Sequence, residues 1–122
     1  MHDELRQFKA NIFQALAHPT RIAIVEILRE GEAPVSRIIE RLKIDPANAS
    51  QHFSVLRSRN IVLSRKEGAQ VFYTLRDPIL GDILDLMRRY FQIHLTGALS
   101  TLSELSSQTS DDAPARRTDA LG

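Results

Sequence analysis

Residues 34–76 read PVSRIIERLKIDPANASQHFSVLRSRNIVLSRKEGAQVFYTLR. Within this stretch Ile38, Ile39 and Leu42 form the inner face of a short helix over Val35–Leu42, and Arg37 and Arg41 share its outer face. Ser36 caps that helix or lies near its start. Ile44 plugs a turn over Lys43–Asp45. Asp45 immediately before Pro46 is an N-cap followed by a proline in the first turn, where the missing N–H costs nothing. A second helix therefore runs Pro46–Arg59. Its apolar residues Ala49, Phe53 and Leu56 recur at helical spacing on one face. Ala47, Gln51, Ser54 and Ser58 occupy the opposite face, with Asn48 beside them. Asn60 suits the left-handed position after that helix. Next comes a hairpin over Val62–Arg76, where Val71, Tyr73 and Leu75 alternate with Phe72 and Thr74, and Glu67-Gly68-Ala69 turns the chain. Helix, turn, helix and hairpin in that order make a helix-turn-helix with a wing. A helix buried on one side, with small and amide side chains on the other, has the shape of a major-groove reader.

Working outward, Asp3–Ala17 is predicted as a helix with Leu5, Phe8, Ile12 and Leu16 in one stripe and Phe13 just off it. That arc either closes the chain's own core or faces a partner. His18-Pro19-Thr20 breaks the helix, His18 being read as a structural residue of the junction. Thr20–Glu30 is apolar on several sides and so central to the core, and Gly31 stops it. Glu32-Ala33-Pro34 is read as an extended linker. From Asp77-Pro78 a last helix is predicted to reach about Ser106. One of its apolar tracks includes Leu84, Met87, Phe91, Leu95 and Leu102, and a second includes Leu86, Tyr90 and Ile93. An arc this wide exceeds what one small core covers and points to a dimer seam. Gly97 marks a kink or a close helix–helix approach. The predicted fold is mainly α with a small β-hairpin wing (α+β), in the order α-α-α-α-β-β-α. One DNA-binding and dimerisation domain spans residues 3–106, followed by a polar, disordered tail over 107–122. Arg116-Arg117 in that tail is read as inert.

The bulk numbers agree. With 122 residues, 43% hydrophobic and 25% charged, the chain is an ordinary single globular domain with a thin core that a partner subunit would extend. It has no cysteine, which excludes disulfides and thiolate metal sites. No apolar run approaches membrane length, no signal peptide is expected, and a cytoplasmic protein is expected. The net charge of +1 hides an asymmetry. Between Val35 and Lys66 seven basic residues face two acidic ones, giving +5 and leaving the rest of the chain at −4. A basic segment of this kind suits a polyanion. No glycine-rich phosphate loop or cysteine appears, and the four histidines are scattered, so an enzyme is not expected.

Three runs in order, Phe13-Gln14-Ala15-Leu16-Ala17-His18-Pro19-Thr20-Arg21-Ile22, Ala49-Ser50-Gln51-His52-Phe53-Ser54-Val55-Leu56-Arg57, and Arg65-Lys66-Glu67-Gly68 with Val71-Phe72-Tyr73, resemble the ArsR/SmtB family of winged-helix repressors over roughly residues 5–100. The resemblance implies a homodimer joined through the first and last helices, a dyad-symmetric operator, and repression relieved by an inducer. Where the family's metal sensors carry a Cys-x-Cys pair, this chain has Pro34 and Ser36. Asp82 and Asp85 have no histidine two residues on. No metal or other cofactor is expected, and the inducer is left blank. His94 is read as a surface or interface histidine, the alternative being a carboxylate–imidazole site across the dimer with Asp85 or Glu104.

The expected DNA contacts divide by chemistry. Asn48 and Gln51 suit adenine's edge, and Ala47 lies beside them on the same surface. Ser54 and Ser58 suit phosphate or sugar, and Ser36 contacts DNA from the preceding helix. Arg57, Arg65 and Lys66 suit phosphates, and Gln70 lies with Arg65 and Lys66 at the wing tip. His52 is assigned to packing or hydrogen bonding ahead of direct base contact. The rival reading is a winged helix serving as a protein-interaction module without specific DNA binding.

Overall fold

The structure is a computed structural model and describes residues 2–109. It comprises α1 (His2–Leu16), α2 (Pro19–Leu28), β1 (Ala33–Pro34), α3 (Val35–Leu42), α4 (Pro46–Ser58), β2 (Val62–Glu67), β3 (Gln70–Leu75) and α5 (Ile79–Thr109). Two compact units divide the chain, one up to Asp82 and one from Ile83 onward.

The first unit is built around α2. Its Ile24 and Val25 are fully buried together with Ile38 of α3, Leu56 of α4, and Ile61 and Val62 at the entry to β2. His18 and Pro19 set the break before α2: His18 is extended and its Nδ1 accepts from the Thr20 N–H at 3.1 Å, while Pro19 is the first helical residue. His18 is thus the structural junction expected of it. After Leu28 the backbone tightens through Glu30 N–H to Ile27 O and Gly31 N–H to Leu28 O, and Gly31 takes φ 130°, open only to glycine in practice.

The segment read as a linker is a strand. Ala33 pairs with Tyr73 and Pro34 with Phe72, making a three-stranded antiparallel sheet of order β1-β3-β2. Two residues carry no alternation to read, and a proline is tolerated there because β1 is an edge. The hairpin has the expected register, from Val62 opposite Leu75 to Glu67 opposite Gln70. Gly68 opens its two-residue loop at φ 63°, the sign a type II′ turn needs at that place. On the inner face of the sheet Ala33, Val62 and Tyr73 are buried, and the Tyr73 ring stacks on Phe53 of α4 at 4.4 Å and 12°.

α1 buries only Ala15 and Leu16; Ile12 is half-buried, and Leu5, Phe8 and Phe13 are exposed. α5 starts with Asp77 accepting from the Ile79 N–H at 3.0 Å. It runs to Thr109, so Ser107–Thr109 of the expected tail are helical, and residues 110–122, Arg116 and Arg117 among them, lie outside the described residues. Along α5 Leu84 is half-buried, while Met87, Tyr90, Phe91, Ile93, Leu95 and Leu102 are exposed, Tyr90 by 72%. Thr101 Oγ1 donates to the Gly97 carbonyl at 3.0 Å, and a methyl at Gly97 would meet nothing within 4 Å. Among the described residues no helix is long and apolar enough to cross a membrane.

Candidate nucleic-acid interface

α4 is fixed at both ends by local chemistry. Asp45 is extended, and its Oδ2 accepts from the Ala47 N–H at 3.1 Å and the Asn48 N–H at 3.3 Å. At the other end the Ile61 N–H donates to Leu56 O and the Asn60 N–H to Arg57 O, both at 3.0 Å, with Asn60 at φ 59°. That pair of bonds around a left-handed residue is a Schellman motif, and the apolar contact that accompanies such motifs is supplied by buried Leu56 and Ile61. α4 stops at Ser58, one residue short of the sequence boundary.

Between these ends the helix has two unlike sides. Ala49, Phe53 and Leu56 are buried. Ala47, Asn48, Gln51, Ser54, Arg57 and Ser58 are all exposed. The amide-bearing side expected to read DNA is therefore open along its length.

His52 lies on the flank of α4, half-buried, and is held rather than free. Arg21 Nη1 donates to its Nδ1 at 3.2 Å, and Arg21 Nε donates to the Ala15 carbonyl at the end of α1. Because a guanidinium only donates, His52 Nδ1 must be the acceptor and the ring proton sits on Nε2. The His18 ring is 4.3 Å away, centroid to centroid. Burial, then the neighbouring His18 and the Arg21 charge, push the His52 pKa below the ordinary imidazole value. The packing role expected for His52 is what the structure shows, and Arg21 ties α1, α2 and α4 together through it.

Several polar residues expected on DNA have partners in the chain. Arg57 Nη1 donates to the Tyr73 hydroxyl at 3.1 Å, leaving part of its fork outward. Ser58 Oγ donates to Val55 O at 2.7 Å, so its proton is spent on the helix backbone. Ser36 is exposed on the first turn of α3 but does not cap it; the cap is Pro34, without a side-chain bond. Ser36 and Gln70 both line an open groove of about 350 Å³, with Pro34, Val35, Ile39, Ala69 and Val71.

The wing separates two residues the sequence had grouped. Ser64, paired with Tyr73, and Lys66, paired with Val71, share the sheet face that meets α4. Arg65 lies on the opposite face and pairs with Glu32 at 2.7 Å and Glu67 at 2.7 Å. Arg41 likewise pairs with Glu30 at 3.1 Å. Three carboxylates outside the basic window thus fold onto it and lower its local charge from +5 to +2. No periodicity marks such pairs; Glu32 and Arg65 are 33 residues apart. Among the described residues no group of three or more His, Cys, Asp or Glu side chains comes together to hold a metal.

A capped helix with an open amide face, preceded by a short helix and followed by a hairpin, defines a winged helix-turn-helix protein. Residues 16–65 match a family described as a helix-turn-helix domain. The HTH-type transcriptional regulator Rv0081 of Mycobacterium tuberculosis is 30% identical over 104 residues, covering 84% of this chain and 91% of that protein. Its crystal structure superposes with a TM-score of 0.71, covering 78% of this chain and 96% of that one. The repressor SmtB of Mycobacterium tuberculosis is 33% identical over 81 residues, 66% of this chain and 60% of that protein. The homodimeric winged helix-turn-helix DNA-binding domain of Mb0332 from Mycobacterium bovis, a possible ArsR-family regulator, has a TM-score of 0.70 at 26% identity, covering 77% and 87% of the two chains. The chain belongs to the ArsR/SmtB family of winged helix-turn-helix transcriptional regulators.

Proposed function

We propose that the protein is a homodimeric repressor that binds a dyad-symmetric operator, each subunit laying α4 in a major groove. The observation that carries this reading is the open face of Asn48, Gln51 and Ser54 on a helix whose reverse side is locked by Ala49, Phe53 and Leu56. Asn48 and Gln51 lie one turn apart, and each can both donate to and accept from adenine, worth roughly 1–3 kcal/mol of discrimination per good pair. Lys66 and the free part of Arg57 supply phosphate contacts. Half-sites then fall about one helical turn, ~34 Å, or a multiple apart. The second copy is held by α1 through Leu5, Phe8 and Ile12 and by α5 through Leu84, Met87, Phe91, Leu95 and Leu102, helices whose apolar side chains are largely exposed in the single chain. No metal or other cofactor enters this reading. An operator as target puts its working compartment in the cytoplasm.

Selection of duplexes from a random pool tests it. Enrichment of a two-fold symmetric sequence, bound at least ~10³-fold better than random duplex, is the expected result. Enrichment of nothing, with only salt-sensitive uniform binding, would leave a protein-interaction module in its place.

A further inference from the structure

Arg65 is a cation that the proposed DNA contacts leave unexplained. It stands opposite Phe72 on β3, and Phe72 stands opposite Pro34 on β1, so the three make one row across the sheet face turned away from α4. The guanidinium lies 4.6 Å over the Phe72 ring. Beyond that ring it reaches Glu32, just before β1, with Nε donating to Oε2 at 2.7 Å and Nη2 to Oε1 at 2.9 Å. Nη1 donates to Glu67 Oε1 at 2.7 Å. One side chain therefore spans all three strands and ends in a two-pronged bond, the geometry that arginine favours with a carboxylate. The span matters because β1 is two residues long and Pro34 has no N–H to give β3.

A phosphate arriving at this guanidinium would meet two carboxylates already in place. Lys66, on the other face, is exposed and meets no such competition among the described residues. The Arg65 bond also lowers the Glu32 carboxyl's pKa from its ordinary value.

We infer that Arg65 is a positioning residue: anchored on Glu32 across Phe72, it sets the pose of the wing so that Lys66, not Arg65 itself, meets the DNA backbone. This rests on the DNA-binding reading above. Glu32→Gln is the informative change, because it removes one negative charge at an exposed site. By long-range attraction alone it would tighten binding to every duplex. Loss of the anchor acts the other way on the cognate site alone.

The experiment measures Glu32→Gln and wild type on a duplex that the wild type enriches from a random pool and on random duplex, with amide hydrogen exchange of residues 62–75 in the free protein. The expected result is binding to the enriched duplex weakened about threefold or more, random duplex bound equally or better, and faster exchange along β2 and β3. Tighter binding to the enriched duplex would overturn the inference and make Arg65 a phosphate ligand that Glu32 restrains. Unchanged exchange together with unchanged affinity would also overturn it. If the wild type enriches no duplex, the DNA reading fails and takes this one with it.

Discussion

Replacing Asp45 by alanine removes the acceptor that sets where α4 begins. In the folded chain one carboxylate oxygen takes the Ala47 and Asn48 N–H groups at 3.1 and 3.3 Å. Losing such a cap costs about 1 kcal/mol, within a range of about 0.5–2. The carboxylate's charge at the positive end of the helix adds about 0.3 kcal/mol for a group this exposed. Both distances are at the long end of the N–H···O range, which favours a total near 1 kcal/mol rather than 2. For a domain of this size that lowers the unfolding midpoint by about 4–8 °C. Asparagine caps about as well as aspartate, so Asp45→Asn keeps the acceptor and loses only the charge. Thermal unfolding of wild type, Asp45→Ala and Asp45→Asn at one fixed protein concentration reads the difference, the concentration being held because dimerisation shifts the midpoint. The expected order is wild type, then asparagine close behind, then alanine. An alanine variant as stable as wild type would refute the cap, and an asparagine variant as weak as alanine would show that charge, not hydrogen bonding, holds the helix start.

Asn60 pays for a left-handed angle at φ 59°, so Asn60→Gly should raise stability by up to about 1 kcal/mol and Asn60→Val should lower it by about 1–2, read by denaturant midpoint. His52 favours its neutral form when folded, so the unfolded chain binds the proton first as pH falls. Stability is then full above the ordinary imidazole range and declines below it, and His52→Gln should flatten that decline in pH-dependent unfolding. Phe91 is 59% exposed in the single chain, so Phe91→Lys should leave the subunit folded by circular dichroism yet weaken self-association by at least about 100-fold in sedimentation, a charge then having to be buried in the seam.

What could be read from the sequence was local. The start of α4 rests on two adjacent residues, Asp45 and Pro46, its buried face on one period, and its end on Asn60, and each has the position the pattern implied. The hairpin follows for the same reason, from alternation and Gly68. β1 was not readable, because two residues have no period and their pairing with β3 is decided some 40 positions away. The partners that Arg65, Ser58 and Arg41 take within the chain were unreadable for a related reason. A sequence window counts charges and hydroxyls, but Glu32, the Val55 carbonyl and Glu30 claim them only once the chain is folded. Strand parity held the missing signal for the wing: Arg65 and Lys66 are neighbours, and neighbours on a strand face opposite ways.

The most direct measurement compares Gln51→Ala with Lys66→Ala on the enriched duplex and on random duplex as salt rises. Gln51→Ala should cut the preference for the enriched duplex by roughly 10-fold while random-duplex affinity holds. Lys66→Ala should weaken both alike and flatten the salt slope by about one unit per subunit engaged. Two variants with the same profile, or a Gln51→Ala protein as selective as wild type, would contradict a recognition surface on the open side of α4.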